Sequence, residues 1–303
     1  MRMLKRWQRS LYKKLVDCKV VSPKIVVQMD GGVCSQMHQY LLGYLFIQRG
    51  YRVSYDLSFF DEWGMDLHHK YVRNFDLLKV FPNLSFDKSS DLESTVYRRK
   101  YYNLGNHSPE KIDDFSFLER KPPVFLGGYY YLPATIWVPI FKLLYKLDDQ
   151  VLDQENIEIC NRIRTSINSV AVHVRRGDLK EELYAYGKPA SLGYFQRSIE
   201  YFNKRLEKPC FYFFSDEPEW VTNELVPALG LDTDHSFVVS INGSDRGYMD
   251  LLLIAHCQHQ ITSKGTLGKY GALLNDNPSK VVILCDDQTE YHWADVFCNV
   301  EFL

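Results

Sequence analysis

Short apolar runs alternate with amphipathic segments over most of this chain. A short apolar run bounded by turn residues reads as a buried strand, and apolar residues at helical spacing read as a surface helix. By that pattern residues 24–29 form a strand, 30–35 a turn, 36–49 a helix and 52–55 a second strand, which together make one βαβ unit. Between residues 57 and 147 the pattern loses its regularity. That stretch is dense in Tyr, Phe and Trp and is broken by Pro122-Pro123 and Gly127-Gly128. From residue 148 the alternation returns. A helix running to 167 leads to a strand over 170–174, a helix near 194–206, a strand over 211–214, a helix near 218–229 and a strand over 237–240. A helix near 248–257, a strand over 260–262, a helix near 267–274 and a strand over 281–285 close the set. Strands that alternate with helices predict parallel sheets. The expectation is two α/β domains, residues 1–160 and 161–303, with the boundary near 148–168 and a ligand cleft between them.

The first nineteen residues carry a different pattern. Leu4, Trp7, Leu11, Leu15 and Cys18 fall at helical spacing, with Arg2, Lys5, Arg6, Arg9, Lys13, Lys14 and Lys19 around them and Asp17 as the lone acid. Such a basic amphipathic helix lies in the plane of an anionic membrane, or packs on its own domain with a solvated basic face. Both readings stay open at this stage. The segment lacks the apolar centre of a signal peptide, and no apolar stretch reaches the length of a membrane span.

Composition narrows the class. Hydrophobic residues make up 46% and charged residues 24% of the 303, as in an ordinary soluble protein. A net charge of -2 supplies no field to draw nucleic acid. Seven scattered cysteines without CxxC spacing suggest neither a zinc knuckle nor a disulfide framework. Reduced thiols in a cytoplasmic protein fit them best.

Candidate chemistry gathers at strand ends, where open α/β sheets bind ligands. His173-Val174-Arg175-Arg176-Gly177-Asp178 closes the strand over 170–174. Two guanidiniums there suit a phosphate, or form a solvated surface pair. Arg176-Gly177-Asp178 taken as an adhesion signal requires an exposed loop. In Asp30-Gly31-Gly32-Val33-Cys34-Ser35-Gln36, two glycines let the backbone approach a ligand at a helix N-terminus, or simply form a tight turn. Phe214-Ser215-Asp216-Glu217-Pro218 offers a carboxylate for ribose or guanine, or a helix cap. Thr262-Ser263-Lys264-Gly265-Thr266 suits a phosphate cradle without P-loop order, and Lys264 or Lys269 either reaches a phosphate or stays on the surface. Asp232-Thr233-Asp234 has the spacing of a metal-binding DxD but sits in a turn between helix and strand, where acids are common.

In order, four segments resemble the GDP-fucose-dependent α-1,2-fucosyltransferases of glycosyltransferase family 11. They are Gly31 to Tyr40 (GGVCSQMHQY), His173 to Asp178 (HVRRGD), Phe214 to Trp220 (FSDEPEW) and the stretch from Cys257-Gln258-His259-Gln260-Ile261 to Ala272. The resemblance covers roughly residues 25–56 and 168–285. Cys34 and Ser35 depart from the family's Gly-Asn, Lys264 from its Asn, and Lys269 and Tyr270 from its tandem aromatics. The resemblance implies a GT-B fold of two facing Rossmann-like domains, the second holding GDP-fucose. It implies inverting, metal-independent transfer of L-fucose from GDP-β-L-fucose to the 2-hydroxyl of a galactose, with no cofactor. Arg175 then faces the leaving β-phosphate, and Arg176 supports the loop or a second oxygen. Asp216 and His259 serve the nucleoside, Gly265 and Thr266 the phosphate. Gly31, Gly32, Gln36 and His173 complete the donor site. Asp178, Asp30 and His38 are the candidate bases. A bacterial enzyme acting on a lipid-linked O-antigen at the inner face of the cytoplasmic membrane fits best. The altered turn and lost aromatics motivate the alternative of a non-catalytic sugar-nucleotide-binding protein.

Overall fold

A computed structural model describes residues 2–66, 69, 71–106, 108–177, 179–180 and 187–303. The chain divides into two compact units, residues 1–144 and 145–303.

The first unit is built on a parallel sheet of β1 (Ile25–Gln28), β2 (Val53–Asp56), β3 (Tyr102–Leu104) and β4 (Val124–Gly127), in the order β2-β1-β4-β3. Helix Val33–Gln48 crosses from β1 to β2 and is apolar nearly all round, because most of its circumference is buried. The irregular stretch hides β3, β4 and the helices Asp91–Lys100 and Ala134–Leu144. The N-terminal helix Arg2–Asp17 settles against this unit through buried Val16, which clusters with Val26, Tyr97 and Phe125. The Tyr12 hydroxyl donates to Glu93 at 3.0 Å, and the Tyr101 hydroxyl donates to Asp17 at 2.6 Å. Trp7 and Leu11 face outward, 62% and 41% exposed. Among the described residues, no helix is long and apolar enough to cross a membrane.

The second unit holds β5 (Ser169–Val174), β6 (Cys210–Ser215), β7 (Ser236–Val239), β8 (His259–Thr262), β9 (Val282–Leu284) and β10 (Val300–Phe302). All pairings are parallel, in the order β10-β9-β8-β5-β6-β7. The chain starts in the middle, winds one way through β6 and β7, then returns to add β8, β9 and β10 on the other side. This is the doubly wound Rossmann order, and its switch point lies between β5 and β8. β5 and β6 read as near-continuous apolar runs because helices cover both faces of the sheet. Val170, Val172, Phe211, Phe213, Ile261 and Ile283 form the core with Phe195, Ile199 and Phe202 of helix Leu192–Asn203.

Three expectations shift. The division falls after Leu144, upstream of the expected residue 160. Helix Gln154–Thr165 belongs with the second unit because Asn156 exchanges side-chain hydrogen bonds with Asn242. The helix near 218–229 contains a widened turn over Val221–Leu225. Pro227 lacks an amide N–H and its ring would clash with the carbonyl four residues earlier, and the wider turn relieves both. β10 lies beyond the last predicted strand.

Candidate active site

In the second unit the ends of β5 and β8 flank the switch point. The backbone there is cross-stitched. The Ser263 N–H donates to the His173 carbonyl at 3.2 Å, and the Arg175 N–H donates to Ser263 Oγ at 2.8 Å. Gly265 has φ +85°, and a Cβ on it would lie 2.9 Å from Arg175 Cδ and 3.1 Å from Nη1. The Arg175 side chain therefore lies directly over Gly265, at a distance only glycine allows. A Cβ on Gly268 would meet His173 Cβ at 2.8 Å. So helix Leu267–Leu274, headed by Thr266, closes onto β5, and the buried His173 is a wall of the site. An anion here would meet the Arg175 guanidinium and the positive end of that helix. The structure thus brings His173, Arg175, Gly265 and Thr266 together.

Arg176 is turned to another purpose. Its Nε donates to Glu217 at 3.1 Å, and its guanidinium lies 3.8 Å over the Trp220 ring. Lys180 pairs with Glu217 as well. Asp216, expected at the nucleoside, instead accepts the N–H groups of Arg176 at 3.0 Å and Gly177 at 2.9 Å. Ser215 Oγ donates to the Val174 carbonyl. The FSDEPEW segment is thus largely a clasp for the arginine loop. The role of Glu217 and Trp220 is not visible in the sequence, because their partner lies about forty residues away in the chain. Gly177 is buried within the clasp, which argues against an exposed adhesion loop. Asp178 lies outside the described residues.

His259 is a correction. It begins β8 opposite Val170, whereas Arg175 follows the other end of β5. Three residues of strand, about 10 Å, separate it from Thr262. Its Nδ1 accepts the Val281 N–H at 3.1 Å, and its ring packs 5.2 Å from Phe202. Lys264 and Lys269 are a second correction: both are buried and paired with acids. The Asp232 carboxylate accepts the N–H groups of Asp234 and His235 in the turn before β7, at the sheet edge opposite Arg175. Among the described residues no group of three or more His, Cys, Asp or Glu could hold a metal ion.

The other predicted residues lie in the first unit. Gly31 has φ +68° and packs on Ser35, and Gly32 heads the long helix. Gln36 is overturned as a donor contact. It is buried, its Nε2 donates to the Gly31 and Asn74 carbonyls, and its Oε1 accepts the N–H groups of Asp76 and Leu77. All of its amide capacity is internal. Asp30 is gripped by Gln28 at 3.0 Å and Gln39 at 2.6 Å. Burial raises its carboxyl pKa, and these two amide donors oppose the rise. His38 stacks on Tyr129 at 4.2 Å and donates from Nε2 to the Tyr130 carbonyl. Burial lowers its pKa to about 4, so the ring is neutral at pH 7.

Open α/β sheets bind their ligands at such a switch point, and an arginine there suits an anionic one. The family model for glycosyl transferase family 11 matches residues 100–296, and the chain belongs to that family. The α-1,2-colitosyltransferase of Escherichia coli is 25% identical over 279 residues, which are 83% of this chain and 88% of that protein. Galactoside 2-alpha-L-fucosyltransferase SEC1 of Bos taurus is 30% identical over 109 residues, 35% of this chain. That match spans 28% of the bovine protein. Among solved structures, NodZ α-1,6-fucosyltransferase co-crystallised with GDP aligns with a TM-score of 0.46 and 13% identity, over 84% of this chain and 93% of that one. The chain is a glycosyltransferase of family 11, and the relatives it matches are α-1,2-colitosyl- and fucosyltransferases.

Proposed function

We propose that the protein transfers L-fucose from GDP-β-L-fucose to the 2-hydroxyl of a galactose, with inversion and without a metal or other cofactor. The observation that carries this is the Arg175 side chain lying over Gly265 at the β5–β8 switch point. The glycosidic C1–O bond to phosphate breaks through an oxocarbenium-like state. Its electron pair goes to the β-phosphate, where Arg175 and the helix N-terminus stabilise the growing charge. The acceptor oxygen bonds to C1 from the opposite face and gives its proton to a base. Asp30 is the better described candidate, because burial raises its pKa and so favours proton uptake, whereas burial lowers that of His38. The acceptor is a galactose-bearing, lipid-linked glycan of O-antigen type at the inner face of a bacterial cytoplasmic membrane. The exposed Trp7 and Leu11, beside exposed Lys5, Arg6 and Lys14, support contact with anionic lipid there.

The test incubates the full chain with GDP-fucose and a panel of β-galactosides, with and without EDTA, followed by linkage analysis. A 1,2-linked α-fucoside formed in EDTA is the expected product. GDP binding without product on any galactoside would sink the transferase reading in favour of a sugar-nucleotide binder. Complete inhibition by EDTA would end metal independence. Colitose is fucose without its 3-hydroxyl, and the E. coli relative is a colitosyltransferase. Product from the 3-deoxy donor alone would therefore move the donor assignment.

A further inference from the structure

Lys269 stands in the first turn of helix Leu267–Leu274 and is 1% exposed. A buried ammonium at a helix N-terminus opposes both desolvation and the helix dipole. Its position needs a reason. Nζ donates to the Ser263 carbonyl at 2.9 Å and the Gly265 carbonyl at 2.6 Å, and pairs with Glu290 Oε2 at 2.6 Å. Two carbonyls accept hydrogen bonds from the ammonium, and the Glu290 carboxylate supplies the opposite charge beside it. Glu290 is itself 4% exposed and arrives from the C-terminal segment of the unit. Lys264 steadies the same segment through Asp287 at 3.0 Å and Thr289 at 2.7 Å.

The two carbonyls that Lys269 ties belong to two residues that touch Arg175. Ser263 accepts the Arg175 backbone N–H, and Gly265 lies beneath its side chain. We propose that the Lys269–Glu290 pair is a positioning brace, which sets the height of the loop 263–266 under Arg175 and so aims the guanidinium at the donor diphosphate. The proposal rests on the reading of Arg175 as the diphosphate contact. Neither Lys269 nor Glu290 touches the reacting atoms. They act through the loop.

A double-mutant cycle tests it. Lys269→Met/Glu290→Gln removes the pair while keeping volume and leaving no bare buried charge, a change that stability often tolerates. The expected result is a fall in kcat of roughly 10- to 100-fold, the scale of a misplaced catalytic group, with little change in thermal midpoint and in KM for the acceptor. In an Arg175→Ala background the same double substitution is expected to lower kcat no further, because the brace acts through Arg175. An undiminished additional loss in that background would overturn the brace. Near-normal turnover of Arg175→Ala alone would instead overturn the diphosphate reading, so the two failures are told apart. If the double variant does not fold, Glu290→Gln alone runs the same cycle, since it removes the charge that anchors Lys269 beneath the loop. Unaltered kcat in that folded variant would count against the brace.

Discussion

Arg175 and Arg176 leave the same strand, but their surroundings give them different work. Glu217 and Trp220 hold Arg176 to the β6 side, and Arg175 lies over Gly265 at the switch point. Arg175→Ala is expected to lower kcat by about a hundredfold, as for the loss of one oxyanion donor. Arg176→Ala is expected to cost about 1 kcal/mol of stability, through a partly exposed ion pair and a stacked ring, with kcat within about tenfold of wild type. Steady-state kinetics and thermal melts on both variants check this, and equal kinetic losses would merge the two roles. A second prediction concerns Asp250, buried and hydrogen-bonded by Asn242 Nδ2 at 2.9 Å. Burial raises its pKa from 3.8 to about 7. The folded chain therefore holds this proton more tightly than the unfolded one. The stability it contributes is complete below 3.8, declines as pH rises and levels off above about 7. His38 works the other way, since its folded pKa is about 4. Comparing Asp250→Asn with wild type isolates the carboxyl: the variant should gain in relative melting temperature from pH 5 to pH 8, and a constant difference would rule the titration out. At this scale the positions of Arg175, His173 and Gly265 were legible in the sequence, because each sits at a strand end or in a glycine turn. It misplaced Gln36 and Lys269, whose partners Asp76 and Glu290 lie 40 and about twenty residues away. No local pattern tells a polar residue buried with a distant partner from an exposed one.

Among the elements, β1 and β5 to β9 were legible from their apolar runs, since parallel strands covered on both faces leave that signature. The helix Asp91–Lys100 was not, although Ser90 followed by Glu93 is a capping signature and Ser90 Oγ accepts the Glu93 N–H. The aromatic residues around it, Tyr97 among them, are buried at irregular intervals and blur any single period. The N-terminal helix joins the two alternatives its sequence left open. Val16 and Tyr12 dock it on the first unit, and Trp7 and Leu11, four residues apart, project from another stripe among basic residues. Trp7→Ser/Leu11→Ser should leave the melting temperature unchanged, because neither side chain is buried. It should lower co-sedimentation with vesicles containing phosphatidylglycerol by about tenfold or more, as two buried apolar side chains are lost from the lipid contact. Unchanged co-sedimentation of the folded variant would remove the helix from lipid binding.

For the molecule as a whole, two parallel-sheet units divide the proposed work unevenly. His173, Arg175, Gly265, Thr266 and the Lys269–Glu290 brace all belong to the second unit, which carries its own core around Val172, Phe213 and Ile261. The first unit contributes Asp30, His38 and the Gly31-Gly32 turn, together with the aromatic stretch in which acceptor choice is expected. If the nucleotide is held chiefly by the second unit, residues 145–303 expressed alone should fold, bind GDP within about tenfold of the full chain and transfer no fucose. Circular dichroism establishes the fold and calorimetry the affinity. Arg175→Ala in the same fragment should weaken GDP by about 1.5–3 kcal/mol, the range of a charge-assisted hydrogen bond. A folded fragment that ignores GDP would show instead that the glycine turn after β1 is part of the nucleotide site. The turn from Gly31 to Gln36, with Cys34 and Ser35 in it, would then become the place to look for this chain's donor preference.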